Sequence, residues 1–437
     1  MRLSSLFISF ALIGLVCSCK SSETTTGDFV SVEQGRFVEA GQELPYFVGM
    51  NFWYGAILGS QGEGGDRERL HRELDRLQSI GANNLRILVG ADGRDGVPTK
   101  VEPTLQTSPG VYNDTILDGL DYLMSQLAKR DMKAVLYLNN AWEWSGGFSQ
   151  YLAWAEGTTP VIPAVEGYAA YVDYVAGFLR SERAKELFAG YVRDIVSRTN
   201  RYTGLAYADD PTIFSWQICN EPRAFSPDNK ELLYEWIAST SSLIKSLDAN
   251  HLVSVGSEGS WGCEGDIELW GRILALDNVD YGNIHIGPYN WGWLQGEDGT
   301  EQPAKYLDRA IENTRDYIAA HVAEAKQSGG GKPVVLEEFG FPRDSLAIAS
   351  ATPTTLRDAY YRAVMAAIEQ SAVEGGLLAG CNVWAWGGEA QPVHELWHAG
   401  DPYTGDPAHE AQGLYSVFAT DPAVELIREI NEKLGNL

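Results

Sequence analysis

The stretch IFSWQICNEPR, residues 213–223, shows the pattern on which the fold depends. A mostly apolar run of strand length ends abruptly in polar residues, among them the carboxylate of Glu221. Seven further runs of this kind occur in the chain, three before and four after this one, and amphipathic segments separate most of them. The eight predicted strands are Tyr46–Tyr54, Asn84–Val89, Lys133–Asn139, Ile213–Cys219, Leu252–Gly256, Tyr281–Ile286, Pro333–Glu338 and Gly380–Trp386.

Strands that alternate with helices indicate an α/β protein with a parallel sheet, and eight is the number of strands that closes a barrel. The first helix is typical, because Leu70, Leu74 and Leu77 repeat at helical spacing along one face. We therefore predict a single (β/α)8 TIM barrel. A doubly wound open sheet is the alternative, but it requires a glycine-rich phosphate loop after the first strand, where residues 49–53 read GMNFW.

The composition favours a neutral substrate. The 437-residue chain carries 33 Lys and Arg against 59 Asp and Glu, and its net charge of −26 repels nucleic acids and anionic lipid headgroups. The 13 Trp and 21 Tyr offer flat faces on which the C–H groups of a sugar ring can pack. A core rich in aromatic residues is the alternative explanation.

The amino terminus resembles an export signal. Residues 1–18 combine Arg2 with a short apolar run, and residues 16–19, VCSC, resemble a bacterial lipobox in which Cys19 receives the lipid. We expect a signal peptide over 1–18, a flexible tether over 19–39 and the (β/α)8 domain over 40–437. The protein would then be a bacterial lipoprotein of the cell envelope, periplasmic or on the cell-surface side of the outer membrane, held to the membrane only by the lipid. An ordinary cleaved signal peptide is the alternative.

Two predicted strands end in carboxylates. Glu221 follows the fourth, and the seventh ends in LEEFG, residues 336–340. In a barrel the carboxyl ends of the strands meet at one mouth, where two carboxyl groups can divide the roles of proton donor and nucleophile. Two surface glutamates that merely end strands are the alternative. Alternation along a strand sends adjacent side chains to opposite faces, and by itself it does not choose between Glu337 and Glu338.

The motifs NEP at 220–222 and EFG at 338–340 together resemble the paired signatures of glycoside hydrolase family 5. The resemblance covers residues 40–437 and includes Arg86, His285 and Trp384 at other strand ends. It implies a barrel of retaining enzymes with the acid/base on strand four and the nucleophile on strand seven. Arg223 and the loop NNAWEWSGG at 139–147 resemble the β-mannanase-type subfamily.

The resemblance also implies a role for each site residue. Glu221 would be the acid/base and Glu338 the nucleophile. Arg86, Asn220 and His285 would support them, and the substrate would be bound by Trp53, Trp142, Arg223, Tyr289, Trp291 and Trp384. One position departs from the family, because Gly287 stands where an aromatic residue usually hydrogen-bonds the nucleophile. Either Tyr289 reaches back to Glu338, or the nucleophile lacks that partner.

We therefore predict a retaining hydrolase of β-1,4-mannosidic bonds in mannan or glucomannan. One alternative keeps the family but changes the substrate to β-glucan or the mode to exo, since the long connections 141–185 and 387–415 could wall off the cleft. A lipid-anchored glycan-binding protein is the alternative of another class. No cofactor or metal is expected, because this chemistry needs none and Cys219, Cys263 and Cys381 lack metal-ligand spacing and read as buried free thiols.

Overall fold

The computed structural model describes residues 29–437, and its centre is a sheet of eight parallel strands. We number them in chain order: β1 Phe47–Asn51, β2 Asn84–Leu88, β3 Lys133–Tyr137, β4 Ile213–Gln217, β5 Leu252–Ser254, β6 Gly282–Ile286, β7 Val334–Phe339 and β8 Leu378–Val383. Strand β1 pairs with both β2 and β8, and the ladder continues from β2 to β5 and from β8 back to β6. The barrel prediction is confirmed, and each strand overlaps the predicted one.

The barrel closes between β5 and β6 largely through a side chain. Asn283 on β6 is buried, and its Oδ1 accepts hydrogen bonds from the backbone N–H groups of Val255 and Gly256 at 3.0 and 2.6 Å. A backbone bond from the Asp280 N–H to the Val253 carbonyl, at 2.8 Å, crosses the same seam. Because buried backbone N–H groups need a partner, Asn283 replaces part of the missing ladder.

A helix follows each strand of the barrel. These are α1 Arg67–Ser79, α2 Asp114–Ala128, α3 Glu182–Val196, α4 Lys230–Leu247, α5 Ile267–Leu274, α6 Pro303–Gln327, α7 Thr355–Glu374 and α8 Ala423–Leu434. In α1, Asp66 caps the start by accepting the Arg69 N–H at 2.9 Å, and the predicted leucine face is buried. In residues 29–437, no helix is both long and apolar enough to cross a membrane.

A small antiparallel sheet covers the amino-terminal end of the barrel. It consists of Ser31–Glu33, Arg36–Glu39 and Gln42–Glu43, and its buried Phe37 packs with Phe214 and Tyr281 from the barrel strands. The tether predicted for 19–39 is therefore wrong for residues 29–39, because burial of Val30 and Phe37 fixes them. The signal peptide and Cys19 lie outside the described residues.

The opposite end of the barrel carries the two long connections. The loop after β3 holds the short helices Gly147–Glu156, Pro163–Glu166 and Tyr168–Val175, and the loop after β8 is framed by the paired strands Trp386–Gly388 and Val417–Phe418. Two smaller elements lie at this end as well. The short helix Gly55–Leu58 follows β1, and the hairpin of Gln106–Ser108 and Val111–Tyr112 follows β2. Trp144 of the β3 loop stacks on His409 of the β8 loop, with ring planes 8° apart, so the two connections meet over the mouth.

Candidate active site

Two carboxylates face each other in a cleft at the mouth of the barrel. Glu221 follows β4 and Glu338 lies in β7, and both line a cleft of about 670 Å³. A carboxylate oxygen of each and a ring nitrogen of His285 all lie within 4.8 Å of one another. The His285 Nδ1 is 3.0 Å from Glu221 Oε1 and 3.5 Å from Glu338 Oε2. The structure thus brings together three of the residues singled out in the sequence.

A β-bulge decides which glutamate of β7 reaches the cleft. Ile284 pairs with Leu336, but the next residue, His285, pairs with Glu338, so Glu337 is an extra residue in the strand. Glu337 points into the barrel below the cleft, where its carboxylate accepts hydrogen bonds from Gln217 at 2.6 Å and Tyr281 at 3.2 Å. Alternation fails here, because the bulge turns both adjacent carboxylates inward.

Arg86 is the central cation of the site. The side chain is fully buried, and its guanidinium forms an ion pair with Glu338 and donates to the Oδ1 of Asn220 at 2.8 Å and to Gln217 at 2.8 Å. The Asn220 amide also donates to Asn140 at 3.1 Å. One N–H of Asn220 is therefore left to donate to a hydroxyl in the cleft.

The surroundings of the two carboxyl groups differ in charge. Burial raises the pKa of both Glu221 and Glu338. At Glu338 the neighbouring His285 and the direct ion pair with Arg86 oppose this rise in pKa, whereas at Glu221 the rise is opposed by Arg223, by the N–H of Trp142 and by Arg86, which forms no ion pair with it. Desolvation lowers the pKa of His285 to about 4, so the imidazole is neutral at pH 7. If the two carboxyl groups share one proton, it therefore resides on Glu221 and leaves Glu338 ionised. This is the distribution that a general acid and a nucleophile require.

Glu221 is held in one orientation by its neighbours. The indole N–H of Trp142 donates to Glu221 Oε2 at 2.6 Å, and the backbone of Glu221 is left-handed, with φ of 51°. Arg223 lies over the Trp142 ring, 4.9 Å from its centre, and forms a two-pronged ion pair with Glu258 at 2.5 and 2.7 Å. A non-glycine residue in this region of φ is uncommon and is typical of a constrained functional site.

Aromatic side chains line the rest of the cleft. Trp384 is 8% exposed and donates its indole N–H to Glu410 at 3.4 Å. Trp291 stacks on Trp261, with ring centres 4.9 Å apart, and Trp261 is 43% exposed at the rim. Tyr289 lines the cleft and meets Tyr415 edge to face. Among the described contacts, Tyr289 makes no hydrogen bond to Glu338, whose close neighbours are Arg86 and His285.

Trp53 corrects one of the sequence predictions. It was expected to bind substrate, but it is only 2% exposed and does not line the cleft. Its indole N–H donates to the Gly405 carbonyl at 2.9 Å, and its ring packs against Trp144 and Tyr403. Because it lies behind the cleft wall, its role is to support the β8 loop.

Sequence reasoning missed several residues of the cleft. Glu258, Trp261, His409, Glu410 and Tyr415 all line it. Glu258 follows the apolar run of β5, and the rule of reading carboxylates at strand ends could have found it. The last three lie in the connection 387–415, which has no periodicity from which the direction of a side chain could be predicted.

Comparison with known protein families and sequences agrees with this geometry. Residues 27–437 match the family model described as GH family 5 beta-mannosidase-like. Mannan endo-1,4-β-mannosidase 1 of Arabidopsis thaliana is 28% identical over 396 residues, covering 86% of this chain and 85% of the relative. Mannan endo-1,4-β-mannosidase 1 of Oryza sativa subsp. japonica is 29% identical over 372 residues, covering 82% and 78%.

Solved structures give the same result. A glycoside hydrolase family 5 mannosidase from Rhizomucor miehei is similar with a TM-score of 0.85 and 32% identity, covering 94% of this chain and 99% of that one. An endo-1,4-β-mannanase from the same organism has a TM-score of 0.67 and 25% identity, covering 94% and 100%. Since the family model matches nearly the whole chain, the chain belongs to glycoside hydrolase family 5, in its β-mannosidase-like group.

Proposed function

We propose that the chain hydrolyses β-1,4-mannosidic bonds of mannan or glucomannan with retention of configuration. The short spacing of the two carboxylates carries this proposal, because oxygens of Glu221 and Glu338 lie within 4.8 Å. Retaining pairs lie about 5–5.5 Å apart, whereas inverting pairs need about 6.5–9.5 Å to admit a water. The relatives named as mannan endo-1,4-β-mannosidases support the mannoside class.

The proposed reaction has two steps. In the first, a Glu338 oxygen attacks the anomeric carbon while Glu221 gives its proton to the glycosidic oxygen, so the C–O bond breaks and a glycosyl ester forms. In the second, Glu221 takes a proton from water, and the hydroxide oxygen displaces Glu338 from the anomeric carbon. Arg86 keeps Glu338 anionic before attack and stabilises it again as it leaves. The free N–H of Asn220 is placed to bind the 2-hydroxyl of the reacting sugar.

Exo action is the second candidate, and the contact between the two loops favours it. His409 stacks on Trp144, and the neighbouring Glu410 accepts the N–H of Trp384, so the β8 loop stands against the indole under the expected reacting sugar. A wall at this place leaves less room for a chain that continues past that sugar. The TM-score is also higher with the Rhizomucor miehei mannosidase than with the endo-mannanase of that organism.

Three measurements test the function. Proton NMR of early hydrolysis should detect the β-anomer first, and the α-anomer first would overturn retention. Manno-oligosaccharides labelled at the reducing end should show loss of one mannose at a time for exo action, or a spread of labelled lengths for endo action. Cello-oligosaccharides run in parallel should be poor substrates if mannosides are the substrate class.

The same assays, done with variants, test the alternative of a glycan-binding protein without turnover. Glu338→Gln should abolish hydrolysis and retain binding of mannohexaose, because it removes the nucleophile at nearly constant shape. Glu297→Gln, at an exposed position outside the cleft, is the matched control and should keep full activity. Binding by the wild type with no hydrolysis of any of these sugars would favour the binding protein.

We also propose that the chain is a lipoprotein of the cell envelope, anchored through Cys19. The motif VCSC at 16–19 after a short apolar run supports this, and the polar residues that follow suit a link to the domain. Cys19→Ser should move the protein from the membrane to the soluble fraction, while Cys263→Ser, at a buried thiol of the domain, should not. Unchanged partitioning of Cys19→Ser would contradict the anchor.

A further inference from the structure

Two histidines and one aspartate converge outside the cleft, in the loop after β8. His394, His398 and Asp401 each offer one donor atom, and these atoms all lie within 4.8 Å of one another. The His394 Nδ1 is 2.8 Å from Asp401 Oδ2, and the His394 and His398 ring centres are 4.3 Å apart. We propose that these three side chains bind a divalent transition-metal ion, of the class of Zn²⁺, Co²⁺ or Ni²⁺, which fixes the loop that walls the cleft.

The donor set selects the class of metal. Imidazole nitrogens suit Zn²⁺, Co²⁺, Ni²⁺ and Cu²⁺, whereas Mg²⁺ and Ca²⁺ prefer sites made only of oxygen. The proton that now joins His394 Nδ1 to Asp401 is the group that a metal ion would replace. The His394 side chain is 48% exposed, so water can enter and complete the coordination beyond three protein ligands.

The electrostatic surroundings favour a cation. A cavity of about 260 Å³ adjoins the cluster, and Asp401 lines both. Four further carboxylates line this cavity against one guanidinium, that of Arg69, and Arg69 is already paired with Glu73. The four are Glu63, Asp66, Asp95 and Glu102. Negative charge concentrated in a concave site attracts a cation more strongly than the same charge spread over a surface.

The cluster is connected to the cleft wall by a short chain of contacts. The backbone carbonyl of Glu395, next to His394, accepts the backbone N–H of Gln412 at 2.7 Å. The Gln412 side-chain amide in turn donates to the carbonyls of Asp406 at 2.8 Å and Glu410 at 3.2 Å. Glu410 meets Trp384 in the cleft. A metal that fixes residues 394–401 would therefore also restrain the segment that closes one end of the cleft.

Metal binding is testable on the full chain without any substrate. Titration with Zn²⁺ by calorimetry and with Co²⁺ by visible absorption should detect binding in the wild type. The double variant His394→Gln/His398→Gln should lose one equivalent. Glu395→Gln is the matched control, because it removes a charge between the two ligands and leaves the ligands intact; it should bind as the wild type does.

The design separates this site from a competing one. Glu221, His285 and Glu338 also offer three donor atoms within 4.8 Å, so metal bound there would inhibit any turnover. The double variant should therefore still be inhibited by Zn²⁺ bound at Glu221, His285 and Glu338. The Zn²⁺ ion that the double variant no longer binds should be one that does not inhibit the wild type. Equal Zn²⁺ stoichiometry in the wild type and a folded double variant would overturn the metal site.

Hydrogen exchange tests the structural consequence. Adding Zn²⁺ to the wild type should slow amide exchange in residues 394–412, and the double variant should show no such slowing. The Zn²⁺-dependent rise in melting temperature should likewise be lost in the double variant and kept in Glu395→Gln. Exchange in this segment that does not respond to Zn²⁺, while Zn²⁺ binds, would show that the ion does not fix the loop.

Discussion

Azide rescue of Glu221→Ala tests the division of labour between the two carboxylates most directly. A dinitrophenyl mannoside has a leaving group that hardly needs protonation, so Glu221→Ala should largely keep the first step and stall at the glycosyl ester. The variant opens space beside Glu338, because the lost carboxylate lies within 4.8 Å of it. Azide needs no general base, so it should enter that space and attack the ester.

The expected size of the effect follows from the role of Glu221 as acid/base. Glu221 is oriented by two contacts, with Trp142 at 2.6 Å and His285 at 3.0 Å, as an acid/base in productive geometry requires. General acid–base catalysis of this kind contributes about 10²–10⁴-fold, or roughly 3–5.5 kcal/mol at about 1.4 kcal/mol per tenfold. On mannan, whose leaving group is poor, Glu221→Ala should lose that whole factor. On the activated substrate, saturating azide should restore most of the lost turnover.

The configuration of the azide product is the decisive assay. Rescue of Glu221→Ala should give the β-azide, formed by attack on the trapped ester. Rescue of Glu338→Ala should give the α-azide, because azide then attacks from the face that the carboxylate has left. The opposite pairing of variant and product would exchange the two roles. If Glu337→Ala behaved as expected for Glu338→Ala, the choice of nucleophile within β7 would be refuted.

Three further predictions concern the surroundings of the site. Burial raises the pKa of Glu337 to about 7, so this carboxyl is largely neutral at the pH where Glu338 loses its proton; Glu337→Gln, which copies the neutral carboxyl, should leave the acid limb of the pH profile of kcat/KM in place, and a shift of that limb would contradict a protonated Glu337. Trp261→Ala should raise KM for manno-oligosaccharides by roughly 2- to 10-fold, from about 0.5–1.5 kcal/mol per aromatic contact, while aryl mannosides serve as the control substrate. Asn283→Ala leaves two buried N–H groups without an acceptor and should lower the free energy of unfolding in urea by about 2–4 kcal/mol, whereas Asn283→Asp keeps the acceptor oxygen. An unchanged urea midpoint for Asn283→Ala would contradict the role of Asn283 in closing the barrel between β5 and β6.

The barrel and the paired carboxylates were predictable because each has a local signal. A strand buried on both faces reads as an apolar run, and its carboxyl end is marked by the first polar residues, as at Gln217 and Glu221. The prediction for residues 29–39 failed for the opposite reason. Phe37 and Val38 are only two adjacent apolar residues after Arg36, a signal too short to distinguish a tether from a hairpin that docks on the barrel.

The walls of the cleft were less predictable than its floor. Trp53 and Trp261 illustrate this. Both follow a barrel strand, β1 and β5 respectively, yet Trp53 is 2% exposed and Trp261 is 43% exposed. Their difference is set by the β8 loop, whose Gly405 carbonyl accepts the Trp53 N–H and covers that ring. The course of a long loop depends on contacts that are remote in sequence, so no local pattern could assign the two tryptophans to different roles.

The bulge in β7 shows how a departure from regular structure produces the chemistry. In a regular strand only one of Glu337 and Glu338 would face the barrel interior. The extra residue lets both do so, and Arg86 then lies between them, paired with Glu338 and 3.6 Å from Glu337. Because burial raises the pKa of Glu337 to about 7, this lower carboxyl is largely protonated in mildly acidic solution and competes little for the guanidinium. The positive charge of Arg86 then acts mainly on Glu338, so activity at mildly acidic pH should depend on the proton that Glu337 holds.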